Sequence, residues 1–376
     1  MRIKDFEFNL RELAGSMGDF GTLFPLAIGY FAVNGLHPAG LLVMMGLANI
    51  VTGIVYRLPM PIEPMKVLAA TAIAQRWSPS LVYAAGFGTG IIWLILSFTG
   101  LVNKIAAVTP RSVVRGIQVA LGIMLAIEGF KMVSTGWILG FVSIFIVILL
   151  RNSRYAPAAV VLMALGIAVM GFQHGLAGVV NPGFTLPMFT LFPPIEIWQG
   201  LVLAGFAQIA LTATNAIIAT SALITDYFPG KAVSERKLAL DHGLMNVIPS
   251  FFGGMPMCHG AGGLAGQYYF GARTGGTNII EGVIEISLGL FLASSIATLF
   301  ALFPTSIIGA MLLLVGIQLT GFARSIKARE LPIMALVIIL SLLTNMAIGF
   351  IAALAVFHSV KRWGKDKKYL RWMVDI

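Results

Sequence analysis

Two stretches of the chain, LPMPIEPMKVLAA at 58–70 and GGMPMCHGAGGLAGQ at 253–267, place proline and glycine inside otherwise apolar segments. Pro61 of the first stretch corresponds to Pro256 of the second at a shift of 195 residues. A second match, TPRSVVRGIQVALG at 109–122 with FPTSIIGAMLLLVG at 303–316, occurs at a shift of 194. Because two independent stretches give nearly the same offset, the sequence indicates a duplicated unit.

The composition is that of a helical membrane protein. Of 376 residues, 58% are hydrophobic and 11% are charged, and the apolar runs repeatedly approach the length that spans a bilayer. The net charge of +10 comes from short basic clusters between apolar runs, which fits positive-inside topology better than a nucleic-acid-binding patch. We therefore expect a lipid bilayer, and no nucleic acid, among the partners.

The apolar runs predict an all-α, polytopic protein with fourteen segments, seven in each half. An odd number per half makes the second half enter the bilayer from the opposite side, as in the inverted repeats of secondary transporters. A cytoplasmic amino terminus puts most basic residues, including the tail from Lys361 to Arg371, in the cytoplasm. We expect a multi-pass protein of the inner (plasma) membrane with both termini cytoplasmic.

The interrupted segments predict half-helices in segments 3 and 10. Pro59, Pro61 and Pro64 cannot all lie inside one helix, because each removes a backbone donor and clashes with the preceding turn. We expect an extended chain before Pro64 and a helix that begins there, since proline is favoured at the first helical position. In the second copy the helix is predicted to open among His259, Gly260, Ala261 and Gly262.

Two facing helix starts at mid-membrane depth favour a bound anion. Each start carries about half a positive charge, so the pair together with the Lys66 ammonium offers about two positive charges to a dianion. The alternative is that the breaks are kinks packed against neighbouring helices. The symmetry of the pair favours a site, because interrupted helices at matching positions typify transporter binding sites. The candidate substrate-binding residues are Glu63, Pro64, Met65, Lys66, His259, Gly260, Ala261, Gly262, Gly263, Thr214 and Asn215.

Buried acids add proton-coupling candidates. Asp19 lies within the first apolar run, where a charge is costly and is by default a functional candidate. Glu63 must be protonated, paired with Lys66 or turned away from an anion; a protonated Glu63 would couple transport to protons, and a static ion pair is the alternative. Thr214 and Asn215 correspond to Asp19 and its neighbour at the repeat offset. His259 is expected either to bond the ligand or to cap the second half-helix.

No sequence motif indicates an enzyme. The chain lacks a phosphate-binding glycine loop followed by lysine and serine or threonine, and it lacks a paired-histidine zinc motif. Cys258 is the only cysteine, so no cysteine set exists for a metal site. We predict no cofactor and no metal.

Three stretches together resemble the signature segments of the molybdate transporter family, a branch of the sulfate permease superfamily. They are LAGSMGDFGTLFP at 13–25, PMPIEPMKVLAA at 59–70 and PMCHGAGGLAGQYYFGARTGG at 256–276. The resemblance covers nearly the whole chain, without the carboxyl-terminal regulatory domain that many sulfate permeases carry. It implies the two inverted repeats of uracil permease, with core domains at 1–106 and 181–302 and gate domains at 107–180 and 303–376. It also implies a substrate site between the two half-helices.

The function predicted from these features is secondary-active import of a tetrahedral oxyanion, molybdate first and sulfate second, by alternating access of core against gate. Proton coupling is a hypothesis drawn from the buried acids. The alternatives are a nucleobase–cation symporter on the same architecture and an anion channel. A homodimer is an open alternative to a single chain.

Overall fold

Helices make up most of the structure, a computed structural model that describes residues 2–18, 20–150, 158–175 and 180–363. The helices are α1 (Leu10–Ser16), α2 (Phe20–Ala32), α3 (Pro38–Tyr56), α4 (Lys66–Ala74), α5 (Pro79–Thr99), α6 (Val102–Val108), α7 (Arg111–Val133), α8 (Trp137–Leu150), α9 (Ala158–His174), α10 (Pro194–Gly200), α11 (Phe206–Leu211), α12 (Ala219–Tyr227), α13 (Glu235–Ser250), α14 (Ala261–Phe270), α15 (Gly276–Phe291), α16 (Ala293–Leu302), α17 (Thr305–Gly321), α18 (Leu331–Leu343) and α19 (Met346–Trp363). Four two-residue strands form two antiparallel pairs: β1 (Arg2–Ile3) with β2 (Phe6–Glu7), and β3 (Glu63–Pro64) with β4 (Met257–Cys258).

Among the described residues, five helical stretches are long and apolar enough to cross a membrane. They are Pro38–Tyr56, Pro79–Thr99, Arg111–Val133, Pro194–Tyr227 and Thr305–Ser325. The fourth runs from α10 through α12 and contains two π-helical stretches, Leu201–Gly205 and Thr212–Ile218. Helices α15 and α16 pass the same test together but meet at a bend of 82°.

Local sequence sets the ends of the long helices. Before α5, the Ser78 hydroxyl accepts a hydrogen bond from the Leu81 amide at 3.2 Å, and Pro79 occupies the first turn. The helix ends at Gly100, whose φ of 68° is the left-handed conformation that stops a helix without a β-carbon clash. Helix α5 therefore begins and ends where capping chemistry predicts.

The long helices pair across the two halves of the chain. Helix α3 packs along α15, α13 packs along α5, and α7 packs along α17. Glycines permit these close contacts: a β-carbon on Gly46 would lie 2.6 Å from the carbonyl oxygen of Gly282. Gly122 of α7 and Gly316 of α17 correspond at the predicted repeat offset and also face each other. A β-carbon on either glycine would lie 2.7 Å from the carbonyl oxygen of the other.

Strands β3 and β4 lie in the interior between these pairs. Met60, Ile62 and Met65 on one side, and Met257 and His259 on the other, have no exposed surface. The fold therefore encloses both interrupted segments rather than leaving them at a lipid-facing surface, as unpaired backbone in a membrane requires.

Candidate functional site

The two interrupted segments are hydrogen-bonded to each other. Glu63 lies opposite Cys258 and Pro64 lies opposite Met257 in the β3–β4 pair, and the Met65 amide donates to the Pro256 carbonyl at 2.9 Å. Glu63 and Cys258 also correspond to one another at the repeat offset of 195 residues. The two segments thus meet at residues that correspond in the predicted repeat.

Two buried asparagines hold the extended backbone of these segments. Asn278 accepts from the Met60 amide at 2.9 Å and donates to its carbonyl at 2.5 Å. Asn246 does the same for Met257, at 2.8 and 2.7 Å. Neither asparagine is among the predicted site residues, although an asparagine within an apolar run is a visible signal in the sequence. They satisfy backbone groups that have no helical partner at this depth.

Replacing Asn278 with alanine is expected to destabilise the protein by about 2–4 kcal/mol, because the buried Met60 amide and carbonyl both lose their partner. The measurement is thermal unfolding of the purified protein in detergent. Asn103→Ala is the matched control, since Asn103 is exposed on α6. Equal unfolding temperatures for the two variants would show that Asn278 does not support the segment.

Helix α4 begins at Lys66, two residues later than predicted, so the expectation that Pro64 opens the helix is wrong. Pro64 lies in β3, and the Met65 amide is engaged by Pro256, which keeps Met65 extended as the N-cap at φ −62° and ψ 107°. The Val67 amide in the first turn donates to the Gln208 side chain at 2.8 Å. Gln208, on the helix before the second π-helical stretch, is a further residue that the candidate set omitted.

Helix α14 begins at Ala261, within the predicted interval. Its N-cap is Gly260, with φ −141° and ψ 130°, and no side chain of the described residues caps its amides. A β-carbon on Gly262 would meet no atom within 4 Å, so open space adjoins this turn. At Gly263, by contrast, the Glu63 carboxylate and Pro61 already fill the equivalent space.

Glu63 and Lys66 form an ion pair at the junction of the two helix starts. The Lys66 ammonium contacts the Glu63 carboxylate, whose side chain is 3% exposed. The carboxylate lies beside Gly260, where a β-carbon would be 2.9 Å from Glu63 Oε2. Glu63 therefore cancels the Lys66 charge and leaves about one positive charge from the helix starts, less than the two that the sequence predicted.

His259 neither caps α14 nor presents a ring nitrogen to open space. Its Nδ1 lies 3.0 Å from the Pro61 carbonyl oxygen, and its Nε2 lies 2.8 Å from an Asp241 carboxylate oxygen. Its backbone amide donates to His242 Nε2 at 3.2 Å. In this arrangement the imidazole ties β4 to the segment around Pro61 and to α13.

Thr214 and Asn215 lie in the π-helical stretch Thr212–Ile218 and line a cleft against α7. The Thr214 hydroxyl donates to the Ala210 and Leu211 carbonyls of its own helix, at 3.1 Å each. Residues 63–66 and 259–263 are not among those lining this cleft. Asp19, the remaining candidate, lies outside the described residues.

Both interrupted segments lie within stretches of the chain that match a known protein family. The family described as "Molybdate transporter of MFS superfamily" matches residues 11–125 and 200–319, more than half of the chain and both interrupted segments. The chain belongs to the molybdate transporter family. "Molybdate transporter 1" of Arabidopsis thaliana is 31% identical over 416 residues, covering 96% of this chain and 91% of the relative.

Solved structures show the fold of this molybdate transporter family member. The transmembrane domain of the cyanobacterial bicarbonate transporter BicA superposes with a TM-score of 0.69 at 17% identity, covering 92% of this chain and 97% of that one. SLC26A9 superposes with a TM-score of 0.73 at 13% identity, covering 96% of this chain and 66% of that one. The family member is thus a multi-pass membrane protein with the same membrane fold.

Proposed function

We propose that the protein is a secondary-active importer of a tetrahedral oxyanion, with molybdate as its first substrate and sulfate as its second. The observation that carries this proposal is the start of α14, which no described side chain caps, which has open space at Gly262, and which lies beside the Glu63–Lys66 ion pair at the start of α4. Membership in the molybdate transporter family favours molybdate among the dianions that such a site would accept.

The proposed architecture has fourteen segments in two inverted repeats, with α4 and α14 as the half-helices of segments 3 and 10. The packing of α3 on α15 and of α13 on α5 supports it, because α3 corresponds to α13 and α5 corresponds to α15 at the repeat offset, so the two contacts are equivalent. The core domains would comprise 1–106 and 181–302 and the gate domains 107–180 and 303–376. Movement of core against gate would then expose the site to each side in turn.

In the proposed site the anion lies between the two helix starts. The backbone amides of the first turn of α14 face it, since glycine lets the backbone approach a ligand closely. The residues assigned to this site are Glu63, Pro64, Met65, Lys66, His259, Gly260, Ala261, Gly262 and Gly263. His259 acts from behind the site by holding β4 in place, through the contacts with Pro61 and Asp241.

Glu63 is proposed to couple transport to protons. Its carboxylate lies against the start of α14, where a dianion would experience repulsion from it. Protonation of Glu63 removes that negative charge and releases the Lys66 ammonium for the substrate. Asp19 is the second coupling candidate. Transport by Glu63→Gln and Asp19→Asn proteins that stayed fully driven by a pH gradient would reject this coupling.

The test is uptake of labelled molybdate into proteoliposomes that contain the purified full-length protein. We expect accumulation against a concentration gradient under an imposed pH gradient, with competition by tungstate and sulfate and none by uracil. Competition by uracil alone would assign the protein to the nucleobase symporters instead. Fast flux without uphill accumulation would assign it to the anion channels.

The proposed setting is the inner (plasma) membrane with both termini in the cytoplasm. The basic loops support this orientation, because lysine and arginine accumulate on the cytoplasmic side of membrane proteins. A homodimer remains the proposed alternative to a single chain, and no nucleic acid is expected to bind.

A further inference from the structure

A second electropositive cleft lies apart from the helix starts. It has a volume of about 240 Å³ and separates the first turns of α7 from the π-helical stretch Thr212–Ile218. Its polar lining residues are Thr109, Arg111, Arg115, Gln118, Thr214 and Asn215. Within the part of the chain that the structure describes, no acidic side chain lines it.

Arg115 is held in place without a counterion among the described residues. Its guanidinium donates to Gln118 Oε1 at 2.7 Å and lies 4.6 Å from the centre of the Phe322 ring. Its Nε is buried and has no hydrogen-bond partner among the described residues. The described ion pairs do not include Arg115 or Arg111. A half-buried guanidinium that is fixed on two sides and has no described carboxylate beside it is preorganised to bind an anion.

The other groups in the cleft point to the same ligand chemistry. Arg111 lies one turn before Arg115 on α7, so two like charges share one face, an arrangement that is unfavourable without an anion between them. Gln118 uses its oxygen to bond Arg115, which leaves its amide donor for another acceptor. Asn215 lines the opposite wall of the cleft. These donors suit a compact oxyanion.

We propose that this cleft is a second anion site, which the transported oxyanion occupies as it passes between the helix starts and the cytoplasm; this inference rests on the proposed function. Asn215 follows Gln208 by seven residues on one helix, which places the cleft about 10 Å along the helix from the residue that caps α4. Arginine suits this role because its planar donors match oxyanion geometry. The π-helical stretch fits a functional site, where widened turns are frequent.

The experiment measures molybdate uptake as a function of concentration, in proteoliposomes of neutral lipid. We expect Arg115→Gln to raise the KM for molybdate about tenfold, because the anion loses one charge-assisted contact. The maximal rate should stay within about twofold of the wild-type rate. Arg115→Lys should recover part of the affinity. Arg324→Gln is the matched control, because Arg324 is an exposed arginine near Phe322 that does not line the cleft. Equal KM values for Arg115→Gln and Arg324→Gln would overturn the proposal.

Two further measurements test the cleft when Arg115→Gln does not fold, and distinguish a free oxyanion from a lipid phosphate. If Arg115→Gln does not fold, Asn215→Ala tests the opposite wall, and an unchanged KM there overturns the proposal. If the KM effect appears only in vesicles containing phosphatidylglycerol, the cleft holds a lipid headgroup phosphate and the assignment to free oxyanion is overturned.

Different results would overturn the proposed anion site in the cleft and the proposed transport function. Absence of molybdate uptake by the wild-type protein would overturn the proposed function. Isothermal titration of molybdate into the wild-type and Arg111→Gln/Arg115→Gln proteins then tests the cleft alone. Weaker binding by the double variant supports the site, and identical binding overturns it.

Discussion

Lys66→Met protein is expected to lose molybdate uptake at least 100-fold and to unfold at a markedly lower temperature. Lys66 neutralises Glu63, whose side chain is 3% exposed. Removing one partner of a buried ion pair leaves an uncompensated charge and typically costs about 3–5 kcal/mol. The remaining carboxylate would also lie at the start of α14 and repel a dianion. Thermal unfolding in detergent and uptake into proteoliposomes measure the two effects.

The double variant Glu63→Gln/Lys66→Met separates charge balance from anion binding. Both charges are then absent. We therefore expect the second substitution to restore at least about half of the fall in unfolding temperature that Lys66→Met causes. Uptake should stay low, because the ammonium that attracts the anion is still missing. Equal unfolding temperatures for Lys66→Met and wild-type protein would contradict the ion pair as a stabilising contact. Full uptake by the double variant would remove Lys66 from the proposed site.

Gly263→Ala and Gly262→Ala are expected to behave oppositely, although the glycines are neighbours in one helix turn. A β-carbon on Gly263 collides with the Glu63 carboxylate and would lie 2.9 Å from Pro61 Cβ. We expect this overpacking to cost about 1–3 kcal/mol and to displace Glu63, with loss of uptake. A β-carbon on Gly262 meets no atom, and alanine favours the helix by up to about 1 kcal/mol.

The Gly262→Ala protein therefore tests whether the anion binds in the space beside Gly262. Its unfolding temperature should equal or exceed that of the wild type, whereas its KM for molybdate should rise about tenfold because the methyl group enters the space proposed for the anion. A KM equal to the wild-type value would place the anion elsewhere. A Gly263→Ala protein as stable as Gly262→Ala would contradict the tight contact between Glu63 and α14.

The positions of the two helix starts could be largely predicted from sequence. Proline and glycine end helices by local steric rules, so α14 begins within the predicted interval, at Ala261. The start of α4 was placed two residues too early because Met65 bonds to Pro256, a partner far along the chain. Local rules cannot anticipate such a pairing.

The contacts of the candidate residues could be predicted much less well. Glu63 pairing with Lys66 was among the stated alternatives, because the two residues are one turn apart. The partners of His259 and Gln208 depend instead on tertiary packing of distant segments. The repeat offset related Thr214 and Asn215 to the first helix, but gave no sign that they face Arg111 and Arg115 across a cleft.

The hydrogen-bonded pair β3–β4 limits how the proposed cycle can work. Because the two strands share backbone bonds, displacement of one helix start carries the other with it, and the distance between them is preserved. An ion held between them would then meet the same donors whichever side of the membrane the pocket opens to. The intrinsic affinity of the site for the anion would then be equal at both faces, and the driving ion would supply the energy for accumulation.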